Sequence, residues 1–191
     1  DFLDDAPRDL RVGAVAFNHS VRSMEAPTAD RADTRALIQQ LTPSGGTATG
    51  EGLAAALGLF ERETSREGRR PPAAIILLSD GASTHGRDPI PVAREAARAK
   101  VPIYTVALGT DAGTIQVEGR DGAMVTRQVP PDRDTMRRIA AISGARTFSA
   151  DAGDELSTVY ERLGSQVATR DERREVAAAF AGGAAAFLLV G

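Results

Sequence analysis

Few residues in this chain are equipped for chemistry. Asp80 closes the apolar run AAIILLSD and is followed by Gly81, while Thr47 sits in the glycine-rich stretch SGGTATGEG, residues 44–52. Both offer hard oxygen donors, the kind that Mg²⁺ and Ca²⁺ select, and flanking glycines let backbone crowd around a small ion without Cβ clashes. Two oxygens do not complete a shell of six, so further ligands must come from elsewhere in the protein, from water or from a partner.

Other chemistries fit the residues poorly. The 44–52 stretch opens a helix and invites a phosphate, but Gly50 is followed by Glu51 rather than by Lys-Ser/Thr, and no strand leads directly into it. A carboxylate at the helix start also repels the phosphate that a helix dipole attracts. Ser79, Ser83 and His85 lie close in sequence without the G-x-S-x-G elbow of a nucleophilic serine. His85 and His19 read as solvated loop and strand-start residues. Cysteine is absent, which removes disulfides, thiolate metal sites and cysteine nucleophiles. A net charge of −3, with 4% aromatics and no Trp, gives no footprint for nucleic acid.

The elements that must position Thr47 and Asp80 alternate along the chain. Strands are expected at 10–17, 73–79, 101–108 and 145–150, and helices at 29–41, 49–63, 88–100, 132–144 and 154–168. Residues 19–25 follow the first strand with almost no gap and are expected to pair with it as an antiparallel edge. The continuous run AAIILLS suits a strand covered on both faces. The expected architecture is therefore a three-layer, doubly wound, Rossmann-like α/β fold with a mostly parallel sheet. One insertion, residues 114–128, has two strand-like halves around GRDG and leaves from the carboxyl end of strand 101–108, the end where such sheets bind ligands.

Both ends read as cut. DFLDDAP resembles the last turn of a helix stopped by Pro7, and VAAAFAGGAAAFLLVG (176–191) carries no charge. At about 1.5 Å per residue it spans roughly 24 Å as a helix, short of the ~30 Å core of a bilayer. The charged segment RDERRE, 170–175, precedes it as an interfacial stop. The expectation is a domain at 1–169, a juxtamembrane segment at 170–175 and the start of a transmembrane helix at 176–191, placing the full-length protein in the cell membrane.

The order of GGTATGEGL, IILLSDGAST, VPIYTVALGT, DRDTMRRIAAISGARTF and DAGDELSTVYERL over roughly residues 1–168 resembles a von Willebrand factor type A domain, of the membrane-bound bacterial kind grouped with the aerotolerance (Bat) proteins. The resemblance implies a metal-ion-dependent adhesion site built from three loops at the carboxyl end of the sheet. The loops carry Asp-x-Ser-x-Ser, a Thr and an Asp respectively. By motif position Thr47 matches the second, with Thr49 its competitor, and Asp80 matches the third. The Asp-x-Ser-x-Ser element does not occur in the chain. The resemblance also implies a first strand between 10–17 and 73–79 that the chain lacks, leaving two strand edges without a ladder partner.

The function so implied is non-enzymatic: Mg²⁺, or Ca²⁺ or Mn²⁺, at Thr47 and Asp80 leaves one position for an acidic side chain of a protein partner. Ser83, His85 and Arg87, with Arg120 and Asp121 of the 114–128 insertion, are the expected selectivity surface. The rival readings are a structural scaffold whose metal site is vestigial and a nucleotide-binding or hydrolytic α/β enzyme.

Overall fold

The computed structural model describes residue 3 and residues 10–41, 46–61, 73–79, 83–108, 114–118, 124–128, 132–150, 176–181 and 184–190. The strands are β1 (Arg11–Phe17), β2 (Val21–Thr28), β3 (Ala73–Ser79), β4 (Ile103–Leu108), β5 (Thr114–Glu118), β6 (Met124–Gln128), β7 (Thr147–Ala150), β8 (Val176–Ala181) and β9 (Ala184–Val190). The helices are α1 (Ala32–Gln39), α2 (Thr49–Glu61), α3 (Pro89–Arg98) and α4 (Arg133–Ser143). The expected helix over 154–168 lies outside the described residues.

Local chemistry sets the helix ends. Asp88 accepts the Ile90 N–H at 2.9 Å, and Pro89 follows it at the first helical position, where a missing N–H costs nothing. Asp132 caps α4 by accepting the Thr135 N–H at 3.0 Å, and Gly144 ends that helix in the left-handed conformation, φ 80°. α1 is shorter than the spacing predicts because Asp30 turns the chain ahead of it, accepting the Ala32 N–H at 3.0 Å.

The sheet is buried on both faces. In β1 and β3, Val15, Phe17, Ile75 and Leu77 point to a cluster with Leu53, Ala56 and Phe60 of α2, Ala93 of α3 and Ile139 of α4. Val12, Ala14, Ile76 and Leu78 point the other way, to Leu3, Leu10 and Leu37. This two-residue alternation inside continuous apolar runs makes three layers, as the sequence predicts. β2 lies antiparallel at the edge of β1 with Val12 opposite Thr28, so the edge strand falls two to three residues later than expected. β4 pairs in parallel with β7, Thr105 opposite Thr147, and β4 is tied to β3 through the Ile75 N–H, which donates to the Pro102 carbonyl at 2.8 Å. β5 and β6 form the expected antiparallel hairpin, Gln116 opposite Thr126.

The C-terminal apolar segment departs from the helix expected of it. Residues 176–181 and 184–190 are strands, and both take their partners from β1 and β3. β8 runs parallel to both, with Ala178 opposite Ala14 and Ile76. β9 runs antiparallel to both, with Phe187 opposite the same two residues. The slot expected to stand open is thus the place both strands claim. Unsatisfied backbone N–H and C=O groups on two buried strand edges give the physical reason: an apolar segment in extended form completes the ladders. The two strands also pair with each other, antiparallel, with Ala178 opposite Phe187. Among the described residues no helix is long and apolar enough to cross a membrane.

Candidate functional site

Since β1 and β3 both run parallel to β8, their carboxyl ends share one rim. Three loops meet there: Asn18 after β1, Gly46 to Ala48 ahead of α2, and Ser83 to Arg87 between β3 and α3. Thr47 is buried, and its main chain joins two of the loops. Its carbonyl accepts the Thr84 N–H at 2.8 Å, the His85 N–H at 3.2 Å and the Ser83 hydroxyl at 3.4 Å. Its N–H donates to Thr84 Oγ1 at 3.1 Å, and that oxygen lies 2.8 Å from His85 Nδ1. The third loop joins through the Ala48 N–H, which donates to the Asn18 carbonyl, while Asn18 Oδ1 accepts the Ser20 N–H at 3.3 Å.

Glycine makes this closeness possible. A Cβ on Gly46 would overlap the His85 ring and Thr84 Oγ1, and one on Gly50 would overlap the Arg87 carbonyl oxygen. The glycines read from sequence as room for a ligand therefore serve, in the first place, the approach of loop to loop.

Arg87 is committed to Glu51, at the start of α2. Its Nε donates to Oε1 at 3.1 Å, its Nη2 lies 3.1 Å from Oε2, and its backbone N–H reaches Oε1 at 3.3 Å. The fork of Arg87 holds the Glu51 carboxyl below its ordinary range, chiefly through the side-chain hydrogen bond. Glu51 thus repels anions less than its position implies, and Arg87 acts as a brace between α2 and the loop before α3.

Of the expected site residues, Thr47, Ser83 and His85 are brought together and Arg87 is placed beside them. Asp80, Arg120 and Asp121 lie outside the described residues. The competing Thr49 is buried as the first residue of α2, whereas Thr47 lies on the loop itself. Sequence reasoning missed Asn18, Thr84 and the Glu51–Arg87 pair. Contacts spanning 36 or 37 residues have no signature in spacing, although an Asn directly after a buried strand is a signal of the same kind as Asp80 after β3. The described oxygen donors at the rim are hydroxyls, amide oxygens and the Glu51 carboxylate, which is committed to Arg87, with one exposed imidazole beside them. Among the described residues no group of three or more His, Cys, Asp or Glu gathers to hold a metal.

Comparison with known proteins bears on the fold. UPF0353 proteins match over 87% of the chain: one from Nocardia farcinica is 31% identical over 180 residues, and one from Mycolicibacterium paratuberculosis is 35% identical over 175. The alignments take in 54% and 51% of those proteins, so the chain spans about half the length of the curated relatives it matches. An aerotolerance-related membrane protein from Bacteroides fragilis shares the fold with a TM-score of 0.68 at 18% identity, covering 86% of this chain and 83% of that one. The conserved hypothetical protein BatB from Bacteroides thetaiotaomicron does so with a TM-score of 0.67 at 21% identity, covering 87% and 82%. The von Willebrand factor type A domain model matches residues 1–162, and with its two-faced sheet and its rim of three converging loops the chain belongs to that family.

Proposed function

We propose that this domain is a non-enzymatic protein-binding module that captures an acidic side chain of a partner through a divalent cation at the β1–β3 rim. Thr47 and Asp80 are the ligands contributed by residues 1–191, and Mg²⁺ is the ion of choice, with Ca²⁺ or Mn²⁺ able to replace it. The observation that carries the reading is the buried Thr47 loop, held by four hydrogen bonds against Ser83, Thr84 and His85 at the carboxyl end of a parallel sheet. In the sequence Asp80 directly follows β3 and precedes Ser83 by three residues, which supports assigning it to the same rim. A bound cation supplies an open position for a carboxylate; the loops decide which carboxylate reaches it. In this reading Ser83 and His85 select the partner, with Arg120 and Asp121 of the β5–β6 insertion as a second selectivity element.

Membrane attachment is part of the proposal, supported by the description of the Bacteroides fragilis neighbour as a membrane protein. The test is calorimetric titration of the full-length protein with Mn²⁺ and Mg²⁺, alongside Thr47→Ala and Asp80→Ala. Saturable binding lost in Asp80→Ala, with the fold kept, supports the reading. Identical binding in the variant, or no binding by the parent, removes the cation and leaves a scaffold domain.

A further inference from the structure

The exits of α3 and α4 meet at the start of β4. The Val101 N–H returns to the Ala96 carbonyl at 2.9 Å, and the hydroxyl of Ser143, the last residue of α4, accepts the Ile103 N–H at 2.9 Å. Beyond α4 the Arg146 carbonyl accepts the Thr105 N–H at 3.2 Å. Arg98, Lys100 and Arg146 are exposed at these exits, and Arg94 and Arg138 are exposed further back along the same two helices. Among the described residues none of these side chains has a hydrogen-bond or ion-pair partner. Glu95 is exposed on α3, while Asp134 of α4 is engaged by Arg137 at 3.1 Å. The chain as a whole has a net charge of −3, so this gathering of cations is local and runs against the overall balance. Lys100 is the chain's one lysine, and it sits in the left-handed conformation just past α3, φ 60°. Gly144 takes the same conformation past α4, φ 80°, without the strain that a side chain carries there.

We propose that this end of α3 and α4 rests on the anionic headgroups of a lipid bilayer, an inference that builds on the membrane attachment proposed above. The cations are spread over two helices and their exits, so they match a plane of phosphates better than one small anion. A protein partner would need an apolar centre to its contact. Among the described residues the large apolar side chain left exposed is Met24, on β2 at the opposite edge of the sheet. α3 begins directly after the rim loop, and its 10 residues span about 15 Å, so its exit lies away from the rim. A domain seated by this end keeps the rim open to a partner.

The experiment is flotation of the full chain, in EDTA, with vesicles of phosphatidylglycerol and phosphatidylcholine or of phosphatidylcholine alone. Binding to the anionic vesicles is expected to be about tenfold tighter or more, an advantage that fades as salt rises. R98E/K100E/R146E is expected to lose about tenfold or more toward anionic vesicles and nothing toward neutral ones. R98K/R146K should keep its affinity, because a charged plane reads charge rather than fork geometry. R98E should lose about fivefold, whereas R22E, the same change of charge at an exposed arginine on β2, should lose less than about twofold. Lys100→Gly separates binding from stability: it relieves the left-handed strain, so its thermal melt should rise while its binding to anionic vesicles weakens about fivefold. The substituted side chains are exposed, so the charge variants should keep the parent's melt, which serves as the folding check. Equal binding to both kinds of vesicle, equal losses in R22E and R98E, or displacement by inorganic phosphate at constant ionic strength would each overturn the proposal. Retention on a polyglutamate column without binding to anionic vesicles would overturn it too, in favour of an acidic protein. Work in EDTA separates this outcome from the fate of the cation at the rim. Membrane attachment fails by a different result, a full-length protein that fractionates apart from membranes.

Discussion

The rim and the β1–β3 slot are joined by the same two strands but ordered by different means. At the rim, directional bonds to Thr47, the Glu51–Arg87 fork and the bare glycines admit one arrangement. In the slot the partners are strand backbones, and β8 and β9 satisfy the same β1 and β3 residues in opposite directions. Hydrogen bonds from particular side chains specify a structure, whereas a ladder built from an alanine-rich segment specifies only that something must fill the gap.

The largest expected effect tests the slot. Ala178→Pro and Ala186→Pro each remove a ladder donor, one from β8 and one from β9. Each single variant should cost about 1–3 kcal/mol, because it leaves a ladder acceptor unsatisfied, and the double variant should lose its cooperative melt. Denaturant titration of the four species measures the coupling between β8 and β9, and single variants as stable as the parent would mean that these ladders contribute nothing. Next comes Gly50→Ala, whose Cβ meets the Arg87 carbonyl. A cost of about 1–3 kcal/mol is expected, together with a loosened rim detected as faster amide exchange at Thr84 and His85.

Thr84→Val removes the acceptor for the Thr47 N–H and should cost about 1 kcal/mol by the same titration. Arg87→Ala is the smallest, below about 1 kcal/mol, because the pair is partly exposed and screened. Its pH signature has a definite sign. The Glu51 carboxyl is held low, so the pair stabilises the fold above the ordinary value of 4.5, and its contribution is lost as pH falls through the lower folded value. The stabilities of parent and Arg87→Ala should converge in that acid window.

Much of this fold is legible in the sequence because burial writes a period into it. β1 and β3 read as covered strands, and their residues do face two opposite clusters. Asp88, Pro89, Asp132 and Gly144 mark helix ends through backbone chemistry that acts within a few residues. The C-terminal segment is where reading fails. A run of Ala, Val, Leu and Phe without polar interruption has no period, so helix and strand are equally consistent with it and the surroundings decide. At the site, Thr47 is legible from its glycines and its offset from α2. Thr84 and Asn18 are not, because their roles come from chain segments that meet only after the sheet has formed.

The Thr47 carbonyl, with three donors converging on it, has a kinetic and entropic consequence. A loop fastened in this way has already surrendered its conformational freedom during folding, so an incoming guest finds a seat that requires little further ordering. Recognition at such a place is expected to resemble key into lock, with differences among guests expressed in how long they stay rather than in how fast they arrive.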